Sequence, residues 1–89
     1  MTGQMWQRDD DWVGSEIEDS FVMVNIDTGK YVALNSTASA VWDALEEPRT
    51  QAGIEAHLRE RFAVDEAACR ASVTRLLGEM RELRLAAPL

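Results

Sequence analysis

Apolar and polar residues alternate along the first third of the chain, as they do in the strands of a sheet that is covered on one face. Val13 and Ile17 alternate with polar neighbours, and the stretch that follows is rich in β-branched and aromatic residues. Asp19 and Ser20 suit a turn, and Gly29 in the next turn is free to take a positive φ. The pattern predicts an antiparallel meander whose last two strands form a hairpin. The predicted strands cover residues 12–18, 21–26 and 30–34.

From residue 35 onward the apolar positions recur every three or four residues, which indicates amphipathic helices. Asn35 or Ser36, Thr50 and Asp65 can each cap a helix N-terminus with a side-chain oxygen. Pro48 should end the first helix, because proline disfavours α geometry in the residue before it. The predicted inward-facing stripes are Ala38, Val41, Trp42 and Leu45; Ile54, Leu58 and Phe62; and Cys69, Val73, Leu76, Met80 and Leu83.

The order of these elements predicts an α+β fold, with a three-stranded antiparallel sheet followed by three α-helices that cover one of its faces. This composition is winged helix-turn-helix-like, with the wing strands moved to the front. We expect one domain over residues 12–85, a flexible N-terminus over residues 1–11 and a short tail over residues 86–89.

Charge is distributed unevenly along the 89 residues, whose formal net charge is −7. Residues 1–47 carry ten acids against Arg8 and Lys30, whereas residues 48–89 carry seven arginines against six acids. An acidic balance argues against nucleic acid, because affinity for phosphates comes largely from Lys and Arg. It fits a partner with a basic lean, or it only maintains solubility. Without a secretory signal or an apolar run of about 20 residues, we expect no membrane contact and a cytoplasmic protein.

Residue types that carry chemistry are sparse. Cys69 is the only cysteine and falls on an apolar helix face, where a buried structural thiol is expected. His57 is the only histidine and should flank its helix with the polar edge toward solvent. The hydroxyls within residues 36–39 fit helix capping, and the aspartates of 9–11 lack the spaced ligands and glycine of an EF-hand loop. We therefore expect no catalytic residue, no metal and no cofactor.

The third predicted strand raises a question about what covers it. If the strands form a simple meander, this strand is an outer one, and its unpaired backbone groups invite another strand. Residues 31–34 have apolar side chains on both faces, and Phe21 and Met23 in the second strand raise the same question. A peptide, a partner protein or a second copy would cover them, unless they are scattered surface residues of no consequence.

A block of residues around the predicted hairpin and first helix combines a turn glycine, an aromatic residue, the string Leu-Asn-x-Thr-Ala and an apolar-Trp pair. These are Gly29, Tyr31, Leu34, Asn35, Thr37, Ala38, Val41 and Trp42. The block resembles the PqqD-like family, the leader-recognition domains of ribosomally made and modified peptides. The resemblance covers about residues 12–85 and continues through Arg49, Thr50, Ile54, Leu58, Leu83 and Leu85.

The resemblance implies a non-catalytic domain that binds the leader of a precursor peptide and delivers it to modifying enzymes. The Leu-Asn form of the motif looks most like the lasso-peptide leader-binding proteins, the discrete N-terminal half of the B protein. The implied partners are then a leader peptide, a leader peptidase and a cyclase of the same pathway. A peptide chaperone for another such pathway, of the radical SAM type, is the alternative.

By the same resemblance, the leader adds as a strand beside the third strand, in a groove against the third helix. The strand backbone gives register, and one flank of the helix borders the groove. The expected leader-binding residues are Lys30, Tyr31, Val32, Ala33, Leu34, Ser72, Arg75, Leu76, Glu79 and Met80. The opposite flank of the helix carries Arg70, Leu77 and Arg81.

Two positions depart from the family pattern. Arg84 stands where the family often has glycine near the end of the last helix, so that helix is expected to end differently. Ser72 stands where the family often has an acid, which puts a carboxylate contact to a leader in doubt.

Two further functions stay open at this stage. A winged-helix DNA-binding regulator would place the arginines of the third helix in the major groove. A dimerisation module would bring Phe21, Met23 and Tyr31 together with their copies, giving a homodimer through the sheet.

Overall fold

The computed structural model describes residues 4–18 and 20–89. Over this part of the chain it contains three helices and two three-stranded antiparallel sheets, which confirms the α+β class. The strands are β1 (Met5–Arg8), β2 (Trp12–Ile17), β3 (Ser20–Asn25), β4 (Tyr31–Leu34), β5 (Arg49–Thr50) and β6 (Ala86–Pro88). The helices are α1 (Ser36–Ala44), α2 (Gln51–Arg61) and α3 (Glu66–Glu82). No helix in the described ranges is long and apolar enough to cross a membrane.

The predicted meander is confirmed as the sheet β2-β3-β4, in which β3 lies in the centre. The hairpin from β3 to β4 turns through a bulge: Asn25 N donates to Lys30 O and Gly29 N donates to Asn25 O, both at 2.8 Å. Gly29 has φ 77°, so the predicted positive φ is confirmed. Asn25 Oδ1 accepts from the backbone N–H groups of Asp27 and Thr28, which fixes the turn. The other predicted turn includes Asp19, which lies outside the described residues.

A second sheet, β5-β1-β6, was not predicted. Residues 5–8, expected in a flexible N-terminus, form its central strand, and residues 86–88, expected in a tail, form one of its outer strands. Residues 1–3 of that expected terminus lie outside the described residues. The predicted order of a sheet followed by helices is therefore wrong, because β5 precedes α2 and β6 follows α3. Strands of two to four residues that pair across the whole chain leave no local periodicity.

Side-chain caps begin all three helices as predicted. Asn35, rather than Ser36, caps α1 by accepting from Ala38 N at 2.9 Å. Thr50 accepts from Gly53 N, and Asp65 accepts from Ala67 N at 2.8 Å. The first helix ends at Ala44, before Pro48 can act on it.

The core lies between the sheet β2-β3-β4 and the helices, and it extends to Ala86 of β6. Met23 is fully buried and Phe21 packs against the core, so both face the helices and need no further cover. Tyr31 belongs to the opposite face and is 75% exposed. The predicted dimer surface, which combines these three residues, is therefore wrong. Leu83, predicted to face inward, is also exposed.

Candidate peptide-binding groove

Strand β4 is the outer strand of its sheet, as predicted, and its hydrogen-bonding pattern shows which groups are left open. The bond from Asn25 N to Lys30 O makes these residues a hydrogen-bonded pair, and such pairs alternate along an antiparallel ladder. Val32 and Leu34 therefore direct their N–H and C=O groups toward β3. Tyr31 and Ala33 direct theirs away from it. Within residues 4–18 and 20–89 no strand pairs with this edge.

The side chains of β4 divide between the two faces of the sheet. Leu34 is buried and Val32 packs against the core, so both point toward the helices. Tyr31 and Ala33 are exposed on the other face. A strand that pairs with the open edge would continue both faces, with one of its own faces turned toward the helices.

The helix α3 presents a continuous line of residues between two depressions. Ser72 lines one depression and Leu83 lines the other. At 100° of rotation per residue, these two positions differ by only about 20° around the helix. Glu79 falls on the same line between them and is exposed. We define the groove as the space between the open edge of β4 and this line of α3.

An apolar pocket of about 140 Å³ lies at the N-terminal end of α3. Its lining comes from α1, α2, α3 and the loop between the last two helices. The lining residues are Thr37, Leu58, Phe62, Val64, Ala68, Cys69 and Ser72. Burial raises the pKa of the Cys69 thiol, with the nearby Glu55 charge adding to the effect, so this wall of the pocket stays neutral.

A more polar cleft of about 400 Å³ lies at the C-terminal end of α3. Lys30, Tyr31 and Val32 of the hairpin form one side of the cleft, and Leu83 and Arg84 help to form the other. Trp12 also lines the cleft, and its indole Nε1 donates to Arg84 O at 3.0 Å. The groove is therefore apolar at one end and charged at the other.

The predicted site residues of α3 do not all reach the groove. Leu76 and Met80 are 5% and 2% exposed and pack in the core, so they offer little surface to a ligand. Arg75 and Glu79 are exposed and pair with each other at 3.4 Å. Ser72 lines the apolar pocket, on the flank that was predicted to border the groove.

The opposite flank of α3 faces α2 near its start and the second sheet near its end. Leu77 is buried, and Arg81 lines a separate pocket together with β1 and β6. Arg70 lies 3.9 Å from the largely buried carboxylate of Glu55. These three residues are therefore turned away from the apolar end of the groove.

Several pocket residues were missed from the sequence. Thr37 was interpreted as a capping hydroxyl, and Val64 and Ala68 were not singled out. The sequence does contain one indication of this pocket. Two apolar residues, Phe62 and Val64, stand between the end of α2 and the residue that caps α3. Both stay partly open to solvent, as residues that line a pocket do.

His57 departs from its prediction. Its Nε2 atom is buried and has no hydrogen-bond partner in the described part of the chain, so this nitrogen does not face solvent as predicted. Among residues 4–18 and 20–89, no group of three His, Cys, Asp or Glu side chains lies close enough together to hold a metal ion.

The fold of this chain is similar to that of two solved protein structures. No curated protein matches the chain as a relative in sequence. The fold is similar to that of TbiB1 in complex with the TbiA(beta) leader peptide, with TM-score 0.78, 24% identity, and coverage of 90% of this chain and 93% of that chain. It is also similar to lasso peptide synthetase B1 complexed with the leader peptide, with TM-score 0.73, 17% identity, and coverage of 93% and 98%. The family model described as coenzyme PQQ synthesis protein D (PqqD) matches residues 20–86. The chain therefore belongs to the PqqD family.

Proposed function

We propose that this protein binds the leader segment of a ribosomal precursor peptide by adding it as a strand to β4. The open edge at Tyr31 and Ala33, next to the groove along α3, is the observation that carries the proposal. Both solved structures named above are complexes with leader peptides, which supports it.

Backbone hydrogen bonds to β4 set the register of the bound leader. The N–H and C=O groups of Tyr31 and Ala33 pair with alternate residues of the leader, as in other cases of strand addition. Side chains on one face of the leader then point toward α3. One apolar side chain enters the pocket beside Ser72, where burial of apolar area adds affinity that the backbone bonds alone do not give.

Ordering a flexible leader consumes part of the binding free energy, so we expect a dissociation constant between nanomolar and micromolar. The complex then presents the precursor to a leader peptidase and a cyclase at raised effective concentration. The protein contributes binding and positioning and no catalytic group, and it acts in the cytoplasm. A precursor of the lasso type is the expected substrate, with other modified peptides as the alternative.

The proposal is tested by titrating a labelled leader, taken from the precursor gene beside this one, against two proline variants. Ala33→Pro removes one outward N–H group of β4 and places a ring at the open edge, so we expect at least about tenfold weaker binding. Glu16→Pro is the matched control, because Glu16 forms a non-hydrogen-bonded pair with Phe21 and directs its N–H group to the opposite edge of the sheet.

Equal leader affinity in Ala33→Pro and the unmodified protein would contradict strand addition at β4. Val32→Pro is less informative, since Val32 bonds to β3 and its loss would disturb the hairpin itself. Tight and salt-sensitive binding of a random DNA duplex, measured by gel shift, would favour a winged-helix regulator instead. A dimer that dissociates only when leader is added would show by light scattering that a second copy occupies the edge.

A further inference from the structure

The end of α3 contains a residue in an unfavourable backbone conformation. Arg84 has φ 63°, in the left-handed region that glycine adopts most readily. Leu85 N donates to Met80 O at 2.8 Å and Arg84 N donates to Arg81 O, the two bonds that end a helix in a Schellman motif. The helix thus ends as it would with glycine, although an arginine occupies the position. A strained residue of this kind points to a function for its side chain.

Arg84 lines a pocket of about 300 Å³ next to the polar end of the groove. Arg8 of β1 and Arg81 of α3 line the same pocket, and Gln7, Asp9 and alanines of β6 complete it. Three arginines and one aspartate are among the residues that line it, which gives a local excess of positive charge. In a chain with a formal net charge of −7, such a concentration of arginine is unexpected for a surface that only maintains solubility.

One of these arginines is held rigidly in place. Arg8 Nε and Nη2 donate to Trp42 O at 3.1 and 2.8 Å, and its guanidinium lies 4.5 Å from the centroid of the Trp42 ring. These contacts use two of the five N–H donors of the side chain. Arg81 and Arg84 form no ion pair with the residues that the structure describes. The guanidinium donors of Arg81 and Arg84 therefore remain available for a planar anion, beside an Arg8 that is fixed in position.

The pocket and the groove meet at Arg84. This residue lines the pocket together with Arg8 and Arg81, and it also lines the polar cleft together with Lys30 and Tyr31. A peptide strand that pairs with β4 and leaves the groove at the Lys30 end therefore passes beside Arg84. The residues of the peptide that follow the paired segment come within reach of the three arginines.

We propose that this arginine pocket binds an aspartate or glutamate carboxylate of the bound peptide, at the end where the peptide leaves β4. The inference rests on the proposed leader binding and adds a substrate feature to it: an acidic residue just outside the paired segment. A single carboxylate fits better than a phosphate chain, because Asp9 lines the pocket and the protein is acidic overall. The protein then recognises two features of the peptide: an apolar side chain in the pocket at one end of the groove, and a carboxylate at the other end.

The test uses Arg84→Gly, whose effects on stability and on binding have opposite signs. Glycine relieves the left-handed strain, so we expect the Tm to rise by about 4 °C. Loss of the charge should weaken binding of the labelled leader about tenfold. Arg59→Gln is the charge-matched control, because Arg59 pairs with Glu66 at the surface, and we expect it to leave the affinity unchanged.

A second arm identifies the carboxylate. Each aspartate and glutamate of the leader is replaced in turn by its amide, and one replacement should weaken binding as much as Arg84→Gly and add nothing to it. A leader without acidic residues, or a Kd that Arg84→Gly leaves unchanged, overturns the inference while the proposed function stands. Salt-sensitive binding of a DNA duplex that Arg84→Gly abolishes assigns the pocket to phosphate and also overturns it. If the unmodified protein binds no leader, the proposed function fails and the inference fails with it.

Discussion

The two sheets of this protein differ in whether their outer strands can pair with a further strand. The sheet β5-β1-β6 has outer strands of only two and three residues, and β6 contains Pro88. Leu89 N donates to Met5 O and Asp9 N donates to Leu85 O, which makes Pro88 and Trp6 a non-hydrogen-bonded pair. The nitrogen of Pro88 therefore faces outward at this edge, where it has no hydrogen to donate. Short strands and proline are two ways in which proteins prevent unwanted pairing at an edge.

The sheet β2-β3-β4 lacks these features at its β4 edge. Tyr31 and Ala33 direct outward N–H and C=O groups with which no other strand of residues 4–18 and 20–89 pairs, and no proline or charged residue stands within β4 itself. The β4 edge thus stays able to pair, whereas the β6 edge is protected. The comparison favours β4 over β6 for the proposed strand addition.

The largest expected effect contrasts the two faces of the open sheet. Met23 is fully buried against the helices, so Met23→Ala should lower the free energy of unfolding by about 2–5 kcal/mol. Tyr31→Ser is its control on the outer face and should change the free energy by no more than about 0.5 kcal/mol. Urea denaturation measures both. A loss of similar size in both variants would show that the outer face of β4 is covered.

The sequence predicted the open sheet well because its signals are local. Its strands are contiguous, the hairpin turn carries Gly29, and the caps Asn35, Thr50 and Asp65 lie directly before their helices. Alternation and capping depend on neighbouring residues, so they can be read without knowing the fold. The outer position of β4 followed from the order of the strands alone.

The protected sheet and the ends of the groove depend on contacts between distant residues. Trp6 pairs with both Arg49 and Pro88, and no sequence pattern near residue 6 predicts either partner. Arg84 was expected to change how α3 ends. The Schellman bonds form nevertheless, and Arg84 adopts the left-handed backbone conformation that they require. The apolar pocket requires the loop after α2 to approach α1. The sequence therefore predicted the pairing edge but not the pockets at its two ends.

The next effect compares prolines placed in the centre and at the edge of a sheet. Gln7 lies in the central strand β1, and the ladder directs its N–H group toward Ala87 of β6. Gln7→Pro should destabilise the fold by about 1–3 kcal/mol, because it removes a ladder bond from a strand that is paired on both sides. Ala33→Pro should cost less than about 1 kcal/mol, since its N–H group faces outward. Equal losses in urea denaturation would mean that β4 is not an open edge.

The smallest effect concerns the protection of the other edge. Pro88→Ala restores an outward N–H group on β6 and removes a restraint on the unfolded chain, so we expect a loss of about 0.4–1 kcal/mol in the free energy of unfolding. Leader affinity should stay unchanged, because Pro88 lines neither the polar cleft nor the arginine pocket. Size-exclusion chromatography should show whether the variant self-associates through the restored edge. If Pro88→Ala gained a second leader-binding site in a titration, strand length at β6 would be no barrier to pairing, and proline alone would have kept this edge closed.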